Sequence, residues 1–303
     1  MKYVCGWDGG GTKTEVLCVN EWGDVLANQS FGPLNINGVG RDVVAQSVKD
    51  CVAFMASLPG GLADCAALVI GVAGVSNVEV SGFITGCVRA NGYTGKLDLQ
   101  GDQDIALAGA VQGAGAVLVA GTGSVCCGRD ADGNKGRSGG RGHLIDDEGS
   151  GYAIGRDILS AVVRADDGRI APTALTGMVY EQLGVSGIPQ IITWLYSPET
   201  GKKDVAALAP LLLRALDMDD HAAKAIALKA AHELSQLACA LWKTLSLDAG
   251  ELALVGSILT RCDFIRNQVT ALCTAQHPGM DVRPPRGTPA QGAVQLALTM
   301  IKE

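Results

Sequence analysis

The sequence has few of the features that mark membrane-spanning, secreted or nucleic-acid-binding proteins. It contains no uninterrupted run of the ~18 apolar residues that a membrane-spanning helix requires. The segment MKYVCGWDGGG at the N-terminus reaches glycines too soon for a secretory signal peptide. Basic residues are in the minority, with 24 Lys and Arg against 31 Asp and Glu, and no basic stripe is interleaved with aromatic residues. We therefore expect a cytoplasmic protein that binds neither membranes nor nucleic acid.

Metal-ligand spacings are also missing, although the chain has ten cysteines. No C-x-x-C motif occurs, and no cysteine and histidine combination has the spacing of a zinc site. Cys126 and Cys127 are adjacent, whereas the other cysteines lie singly, mostly within apolar segments. Because isolated cysteines in apolar segments behave as small hydrophobic residues, we expect buried, reduced thiols rather than a disulfide framework.

Glycine is abundant, with 41 residues, and its first cluster follows an aspartate. The stretch CGWDGGGTKTEVLCVN (5–20) places three consecutive glycines between two apolar runs that we predict to be strands. A third predicted strand follows a turn at 21–24, so the glycines form the first turn of a β-meander. A second turn of this kind, AGTGS at 120–124, follows another buried strand. The repeated pattern indicates two similar halves with a cleft between them.

Neither glycine turn matches the common nucleotide-binding loops. A Walker A loop needs a lysine after its last glycine and then a helix, but Thr12 stands there and residues 14–19 resemble a strand. The motif G-x-G-x-x-G fails because Thr14 and Cys126 occupy its third glycine position. Glycines in a hairpin can instead point backbone N–H groups at phosphate oxygens, and Asp8 could then face a Mg²⁺ ion that the phosphates carry. The alternative is an ordinary glycine hairpin with a solvated aspartate.

Five segments occur in an order that resembles a known family. They are DGGGTKT (8–14), AGTGS (120–124), GGRGHLIDDEGSGYAIGRD (139–157), LVGS (254–257) and GTPAQGA (287–293). Together they resemble the N-acetylglucosamine kinase branch of the sugar kinase–actin–chaperone ATPase superfamily, which also holds BadF/BadG-type ATPase activators. The resemblance spans essentially the whole chain. It implies an α/β fold of two ribonuclease-H-like (actin-like ATPase) domains with mixed sheets flanked by helices, and an active site for ATP and Mg²⁺ in the interdomain cleft.

The resemblance also implies how the chain divides and what it does. The N-terminal domain would comprise residues 1–112 with a C-terminal helix over 290–303, and the C-terminal domain residues 113–289 with a helical insertion. The implied enzyme is a homodimeric, ATP-dependent hexosamine kinase that converts N-acetylglucosamine to its 6-phosphate, with glucosamine or N-acetylmuramic acid as other acceptors. Two alternatives stay open: an ATPase activator of a 2-hydroxyacyl-CoA dehydratase or benzoyl-CoA reductase, and a non-catalytic sugar-binding protein.

Site residues carry over from the resemblance position by position. Asp8 corresponds to the acid on the metal side. The positions that resemble the two phosphate loops and the adenosine contact are Gly10, Gly11, Thr12, Lys13, Gly121, Thr122, Gly123, Gly256 and Ser257. The positions that resemble sugar contacts are Asn35, Asp102, Gly140 and Asp147.

Phosphoryl transfer to a sugar hydroxyl needs a carboxylate within hydrogen-bond distance of the hydroxyl proton. The resemblance assigns this catalytic role to Asp102. Asp102 or Asp104 could instead cap a helix that we predict to start at Ile105. Because Asp104 is better placed for capping, we assign the base to Asp102. Asp147 has a similar alternative, since acidic residues are favoured before a helix start.

Three positions on the sugar side depart from the family pattern. Val125 stands where the family tends to have asparagine, Arg141 where it often has tryptophan, and Asp146 where it often has glycine. One hypothesis is that Arg141 binds an anionic substituent, such as the lactyl carboxylate of N-acetylmuramic acid. The alternative is an ion pair between Arg141 and Asp146 that only shapes the loop.

Overall fold

The computed structural model describes residues 2–302, without the side chain of Asn37. The chain forms two compact units. One takes in the residues up to Gln112 together with those from Pro285 onward, and the other spans Gly113–Pro284. Within the described residues, each unit contains a five-stranded mixed sheet with helices packed on it. The predicted α/β fold with two mixed-sheet domains is therefore confirmed.

The two sheets repeat one topology. Their strands are β1 (Tyr3–Gly9), β2 (Thr14–Asn20), β3 (Val25–Phe31), β4 (Cys65–Val72), β5 (Lys96–Gln100), β6 (Gly115–Ala120), β7 (Ser124–Arg129), β8 (Lys135–Gly139), β9 (Gly250–Val255) and β10 (Met280–Arg283). The strand orders are β3-β2-β1-β4-β5 and β10-β9-β6-β7-β8. In each sheet an antiparallel meander is extended by two parallel strands. Both glycine turns therefore join the first two strands of a meander, as predicted.

Helices cover the sheets and fill the long segment between β8 and β9. They are α1 (Ile36–Val39), α2 (Arg41–Ser57), α3 (Gly61–Asp64), α4 (Val78–Ala90), α5 (Asp102–Ala110), α6 (Gly151–Asp166), α7 (Leu175–Leu183), α8 (Ile188–Leu195), α9 (Lys202–Ala206), α10 (Leu211–Asp217), α11 (His221–Thr244), α12 (Ser257–Arg261), α13 (Asp263–Gln276) and α14 (Pro289–Lys302). None of these helices, all within residues 2–302, is long and apolar enough to cross a membrane.

Strand β1 is buried on both faces because its side chains alternate between two cores. Tyr3, Cys5 and Trp7 pack with residues of α2 and α4 on one face. Val4 packs with residues of α5 and α14 on the other. This period-two alternation is what a strand covered on both faces requires. The cysteines follow the same logic, since all ten are free and all except Cys87 are buried.

Helix α14 approaches α5 and β1 closely at two glycines. A Cβ atom on Gly292 would lie 2.0 Å from the carbonyl oxygen of Ile105, and one on Gly6 would lie 2.5 Å from the nitrogen of Val294. Backbone therefore packs against backbone, with no side chain between the elements. This packing fixes α5, whose first residue is Asp102.

The long helix α11 forms as its apolar spacing predicts. Asp220 caps it, since the N–H of Ala223 donates to Oδ1 of Asp220 at 2.9 Å. Its apolar residues Ile226, Leu234 and Leu241 recur seven or eight residues apart, about two helical turns, and they lie in the core of the second unit. Strand β10 lies at the edge of its sheet, which suits the two prolines that follow it because proline cannot donate to a sheet hydrogen bond.

Candidate active site

The first glycine turn joins β1 to β2 and presents its tip to solvent. The N–H of Gly10 donates to the carbonyl of Lys13 at 3.0 Å, and the carbonyl of Gly10 accepts the N–H of Leu34 at 3.1 Å. Gly11, Thr12 and Lys13 are exposed. The turn is thus anchored at its base, while its tip can offer backbone N–H groups to a ligand.

Asp8 lies beside this turn, in an environment that favours a cation. It is half-buried and pairs with Glu15 across the strands. Burial chiefly raises the pKa of Asp8, the negative charges of Glu15 and Asp102 raise it further, and Lys13 opposes the shift. Magnesium binds through one or two carboxylates together with phosphate oxygens, so these residues fit an ion that a polyphosphate brings. Within residues 2–302, no three His, Cys, Asp or Glu side chains form a metal site by themselves.

The two acids Asp8 and Asp102 lie at the same edge of the first sheet. Strands β1, β4 and β5 are parallel, so their carboxyl ends meet there. Asp8 is the second-to-last residue of β1, next to the turn, and Asp102 follows β5 after Gly101. Ligands of open α/β sheets bind outside this edge. Asn35, the other predicted site residue of this unit, is half-buried directly before α1, and its carbonyl accepts the N–H of Gly38 at 3.0 Å.

Helix α5 begins at Asp102, so the predicted start at Ile105 was wrong. Oδ2 of Asp104 accepts the N–H of Gly101 at 3.2 Å, which stabilises an additional helical turn. Asp102 is exposed, and its Oδ1 accepts the N–H of Gln103 at 3.0 Å. Gly101 is the N-cap residue, and Asp104 lies in the first helical turn and bonds back to the N–H of Gly101 instead of capping a helix that starts at Ile105.

The second glycine turn joins β6 to β7 and is bonded to the loop before α6. The N–H of Gly121 donates to the carbonyl of Gly123 at 2.9 Å, and the carbonyl of Gly121 accepts the N–H of Gly151 at 2.7 Å. Oγ of Ser124 donates to the carbonyl of Glu148 at 2.7 Å. The turn and the start of α6 consequently form one hydrogen-bonded unit.

Asp147 lies in the same loop and is tightly enclosed. It has a left-handed backbone, with φ of 62°, and only 3% of the residue is exposed. Oδ1 accepts the N–H of Ser124 at 3.4 Å, and Oδ2 lies 2.6 Å from Nζ of Lys202. The carboxylate predicted to bind sugar hydroxyls is therefore paired with an ammonium group in this structure.

A cavity of about 260 Å³ opens beside the second glycine turn, within the second unit. Its volume is close to the lower limit of ~300 Å³ for small-molecule sites. Three residues predicted to contact the nucleotide line it, namely Gly121, Thr122 and Ser257. Most of its other lining residues are apolar, and Lys203 and Arg261 add positive charge. Gly256, the residue before Ser257, is the N-cap of α12.

The loop after β8 exposes the side chain of Arg141. Gly140 has a φ of 69°, and its carbonyl accepts a hydrogen bond from the guanidinium of Arg137. Oδ2 of Asp146 accepts the backbone N–H of Arg141 at 2.9 Å. Among the described residues, the exposed guanidinium of Arg141 forms no ion pair, so the alternative of an Arg141–Asp146 ion pair was wrong.

Comparison with protein families agrees with this arrangement. The model of the BadF/BadG/BcrA/BcrD ATPase family matches residues 5–297. The chain belongs to the BadF/BadG/BcrA/BcrD ATPase family. The resemblance inferred from the five sequence segments is therefore confirmed.

Relatives of this protein are similar to it over nearly its full length. The N-acetylmuramic acid/N-acetylglucosamine kinase of Clostridium acetobutylicum is 32% identical over 301 residues, which cover 98% of each chain. The N-acetyl-D-glucosamine kinase of Dictyostelium discoideum is 29% identical over 315 residues, again 98% of each. A solved structure from Chromobacterium violaceum, provisionally described as an N-acetylglucosamine kinase, has a TM-score of 0.76 at 28% identity and covers 98% of this chain and 99% of that one.

The sequence analysis did not predict three cationic residues of this candidate site. Lys203 and Arg261 line the cavity, and Lys202 pairs with Asp147. The only signal for the lysines was the pair that follows Gly201, and surface helices commonly carry charged residues on their solvent-facing side. Their role depends on how α9 packs, which no local pattern indicates.

Proposed function

We propose that the protein is an ATP-dependent kinase that transfers the γ-phosphoryl group to a hydroxyl of an amino sugar. N-acetylglucosamine is the proposed acceptor, with phosphorylation at O6. The observation that carries the proposal is the cavity at the second glycine turn, where Gly121, Thr122 and Ser257 line one space. Similarity over 98% of the chain to two proteins named as N-acetylglucosamine kinases supports the same reaction.

The proposed nucleotide contacts divide between the two glycine turns. Backbone N–H groups of Gly10 and Gly11, with Thr12 and Lys13, would bind phosphate oxygens at the first turn. Residues 121–123 would do so at the second. The adenosine would occupy the adjoining cavity, beside Gly256 and Ser257. Asp8 would hold Mg²⁺, which, when bound, neutralises charge on the phosphates.

On the sugar side, Asp102 would accept the proton of the attacking hydroxyl. Its side chain is exposed, and Asp104 takes the capping role that would otherwise compete for it. Phosphoryl transfer depends mainly on positioning and charge stabilisation, so a carboxylate at hydrogen-bond distance is sufficient. Asn35, Gly140 and Asp147 would orient the sugar through hydrogen bonds.

N-acetylmuramic acid is a second proposed acceptor, favoured by the exposed guanidinium of Arg141. Its lactyl carboxylate is the feature that separates it from N-acetylglucosamine. A guanidinium without an ion-pair partner can bind such a carboxylate through two parallel hydrogen bonds. The relative from Clostridium acetobutylicum is named for both sugars.

A substrate panel with product mapping tests the proposal. Purified protein is incubated with ATP, Mg²⁺ and N-acetylglucosamine, glucosamine, N-acetylmuramic acid or glucose, and the phosphorylated carbon is assigned by NMR. We expect amino-sugar-dependent ADP formation and a 6-phosphate. ADP release that no sugar stimulates would instead favour the ATPase activator, and an oxygen-sensitive iron–sulfur chromophore after anaerobic purification would support that alternative. Sugar binding without ADP formation would favour the non-catalytic sugar-binding protein.

Three finer statements accompany the proposal. We infer from the family resemblance that the enzyme is a homodimer and that its domains comprise residues 1–112 with 290–303 and residues 113–289. Its dependence on ATP favours action in the cytoplasm. Sedimentation velocity measures the oligomeric state directly, and a mass of one chain would exclude the dimer.

A further inference from the structure

The ion pair between Lys202 and Asp147 blocks the carboxylate that we propose for the sugar. The side chain of Asp147 is 5% exposed, whereas that of Lys202 is 30% exposed. A sugar hydroxyl therefore reaches the carboxylate only after a neighbouring group moves. The more exposed member of the pair, Lys202, is the group that can leave with the smallest rearrangement.

The other contacts of Asp147 belong to a backbone that is held in place. Its Oδ1 accepts the N–H of Ser124, whose Oγ donates to the carbonyl of Glu148. The carbonyl of Gly121 accepts the N–H of Gly151 in the same region. These bonds tie the second glycine turn to the start of α6, so neither can withdraw from Asp147 alone.

The backbone of Lys202 is also held, which confines motion to its side chain. Lys202 is the first residue of α9, and α9 packs on α6. A Cβ atom on Gly155 would lie 2.0 Å from the carbonyl oxygen of Val205, so the two helices meet backbone to backbone. The flexible four-carbon stem of the lysine then decides where its ammonium lies.

A second partner for this ammonium is within reach at the glycine turn. A Cβ atom on Gly123 would lie 3.0 Å from Nζ of Lys202, so the ammonium rests against the turn that we propose to bind phosphate. The next residue, Lys203, lines the cavity together with Gly121 and Thr122. A polyphosphate carries more negative charge than one carboxylate, so its arrival at the turn competes for the lysine.

We propose that Lys202 is a positioning residue that exchanges partners during substrate binding. It pairs with Asp147 when no nucleotide is bound, and it moves to the polyphosphate when nucleotide binds, which frees Asp147 for a sugar hydroxyl. This inference rests on the proposed kinase function. It requires that nucleotide tightens sugar binding and, by thermodynamic reciprocity, that sugar tightens nucleotide binding by the same factor.

Titration calorimetry of N-acetylglucosamine, with and without a non-hydrolysable ATP analogue and Mg²⁺, tests the exchange. In the unchanged protein we expect the analogue to tighten sugar binding about tenfold or more, within the range of measured couplings. Lys202→Met removes the blocking charge, so the sugar binds without the analogue about as tightly as with it. Lys224→Met is the matched control, because Lys224 pairs with Asp219 at the surface, and its coupling stays unchanged. Equal coupling in Lys202→Met and the unchanged protein overturns the inference.

A measurement on the unchanged protein covers the case in which Lys202→Met fails to fold. Magnesium tripolyphosphate alone should tighten N-acetylglucosamine binding, because it supplies the charge that draws Lys202 away, whereas adenosine alone should not. Absence of a tripolyphosphate effect overturns the inference. The substrate panel keeps the two failures apart: a protein that phosphorylates no amino sugar fails as a kinase, whereas an active kinase without this coupling loses only the Lys202 exchange.

Discussion

Oδ2 of Asp104 lies 3.2 Å from the backbone nitrogen of Gly101 and closes the first turn of α5. This bond separates two neighbouring acids that sequence patterns could not fully distinguish. Asp104 has a structural role at the helix N-terminus, whereas Asp102 is exposed and its negative charge contributes to the raised pKa of Asp8. Substitution of Asp102 should therefore lower activity, whereas substitution of Asp104 should lower stability.

We expect Asp102→Asn to lower kcat for sugar phosphorylation by about 10²- to 10⁴-fold, the usual contribution of a general base. Its free energy of unfolding should change by less than ~0.5 kcal/mol because the side chain is exposed. Asp104→Ala should instead reduce the free energy of unfolding by about 0.3–1.5 kcal/mol. A coupled ADP assay and urea denaturation measure the two quantities. An Asp102→Asn protein with a tenth or more of the original kcat would exclude Asp102 as the base.

We expect Asp8 to lower the stability of the folded chain at neutral pH, although the proposed kinase activity needs it. The pKa of Asp8 in the folded chain is raised above the ordinary value of 3.8, which the unfolded chain keeps. Between the unfolded and the folded pKa, the folded chain therefore binds more protons than the unfolded chain. Stability from this group is present below the unfolded pKa and is lost as the pH rises through the folded pKa. We expect Asp8→Asn to raise Tm at about pH 7, to flatten the decline of Tm as the pH rises above the ordinary carboxyl pKa of 3.8, and to abolish kinase activity.

Asp132→Asn is the matched control for Asp8→Asn, because Asp132 lies exposed in the turn between β7 and β8. Scanning calorimetry at several pH values should show the same Tm profile for this variant as for the unchanged protein. A lower Tm for Asp8→Asn across the whole range would contradict the proposed electrostatic cost.

Gly292 should tolerate no side chain. A Cβ atom there would lie 2.0 Å from the carbonyl oxygen of Ile105 and 2.4 Å from the nitrogen of Gly109, so α14 and α5 would have to separate. We expect Gly292→Ala to lose about 1–3 kcal/mol of stability and to lower kcat, because α5 carries Asp102. Gly86→Ala provides the comparison, since that glycine lies exposed in α4 with open space around it. It should gain ~0.5–1 kcal/mol, and equal losses in both variants would sink the packing argument.

Filling the cavity should impair nucleotide binding specifically. Ala207 lines the cavity but is exposed, so a larger side chain there enters the proposed adenosine space without disturbing the core. We expect Ala207→Phe to raise KM for ATP by about tenfold, equivalent to ~1.4 kcal/mol, with KM for the sugar little changed. Ala131→Phe, in an exposed turn, should leave both values unchanged. A larger effect on the sugar KM than on the ATP KM would place the nucleotide elsewhere.

Arg141 should determine how well an anionic sugar competes with a neutral one. Because hydrogen bonds to charged groups contribute about 1.5–3 kcal/mol, Arg141→Gln should lower the ratio of kcat/KM for N-acetylmuramic acid to that for N-acetylglucosamine by roughly 10- to 100-fold. Arg214→Gln, which removes a surface ion pair with Glu181, is the control. An unchanged ratio in Arg141→Gln would show that the guanidinium does not contact the lactyl group.

The elements that sequence patterns predict well are those with local causes. Alternating and continuous apolar runs predicted β1 and β2 around the first glycine turn, and a regular apolar spacing predicted α11. The predicted start of a helix was less accurate where a side chain bonds to the backbone a few residues away. The start of α5 was placed too late because the reach of Asp104 back to Gly101 extends the helix beyond its apolar pattern.

The sequence by itself determined the two glycine hairpins, the duplicated meanders and the position of Asp8 next to the first glycine turn, because strand alternation and turn chemistry depend on residues close together in the chain. Tertiary structure alone decided that Lys202 faces Asp147, 55 residues away, and that Gly121 and Ser257 line one cavity. These relationships depend on how helices pack on each other and on the sheet. Such packing is set by contacts between distant residues, which leave no period or motif in the sequence.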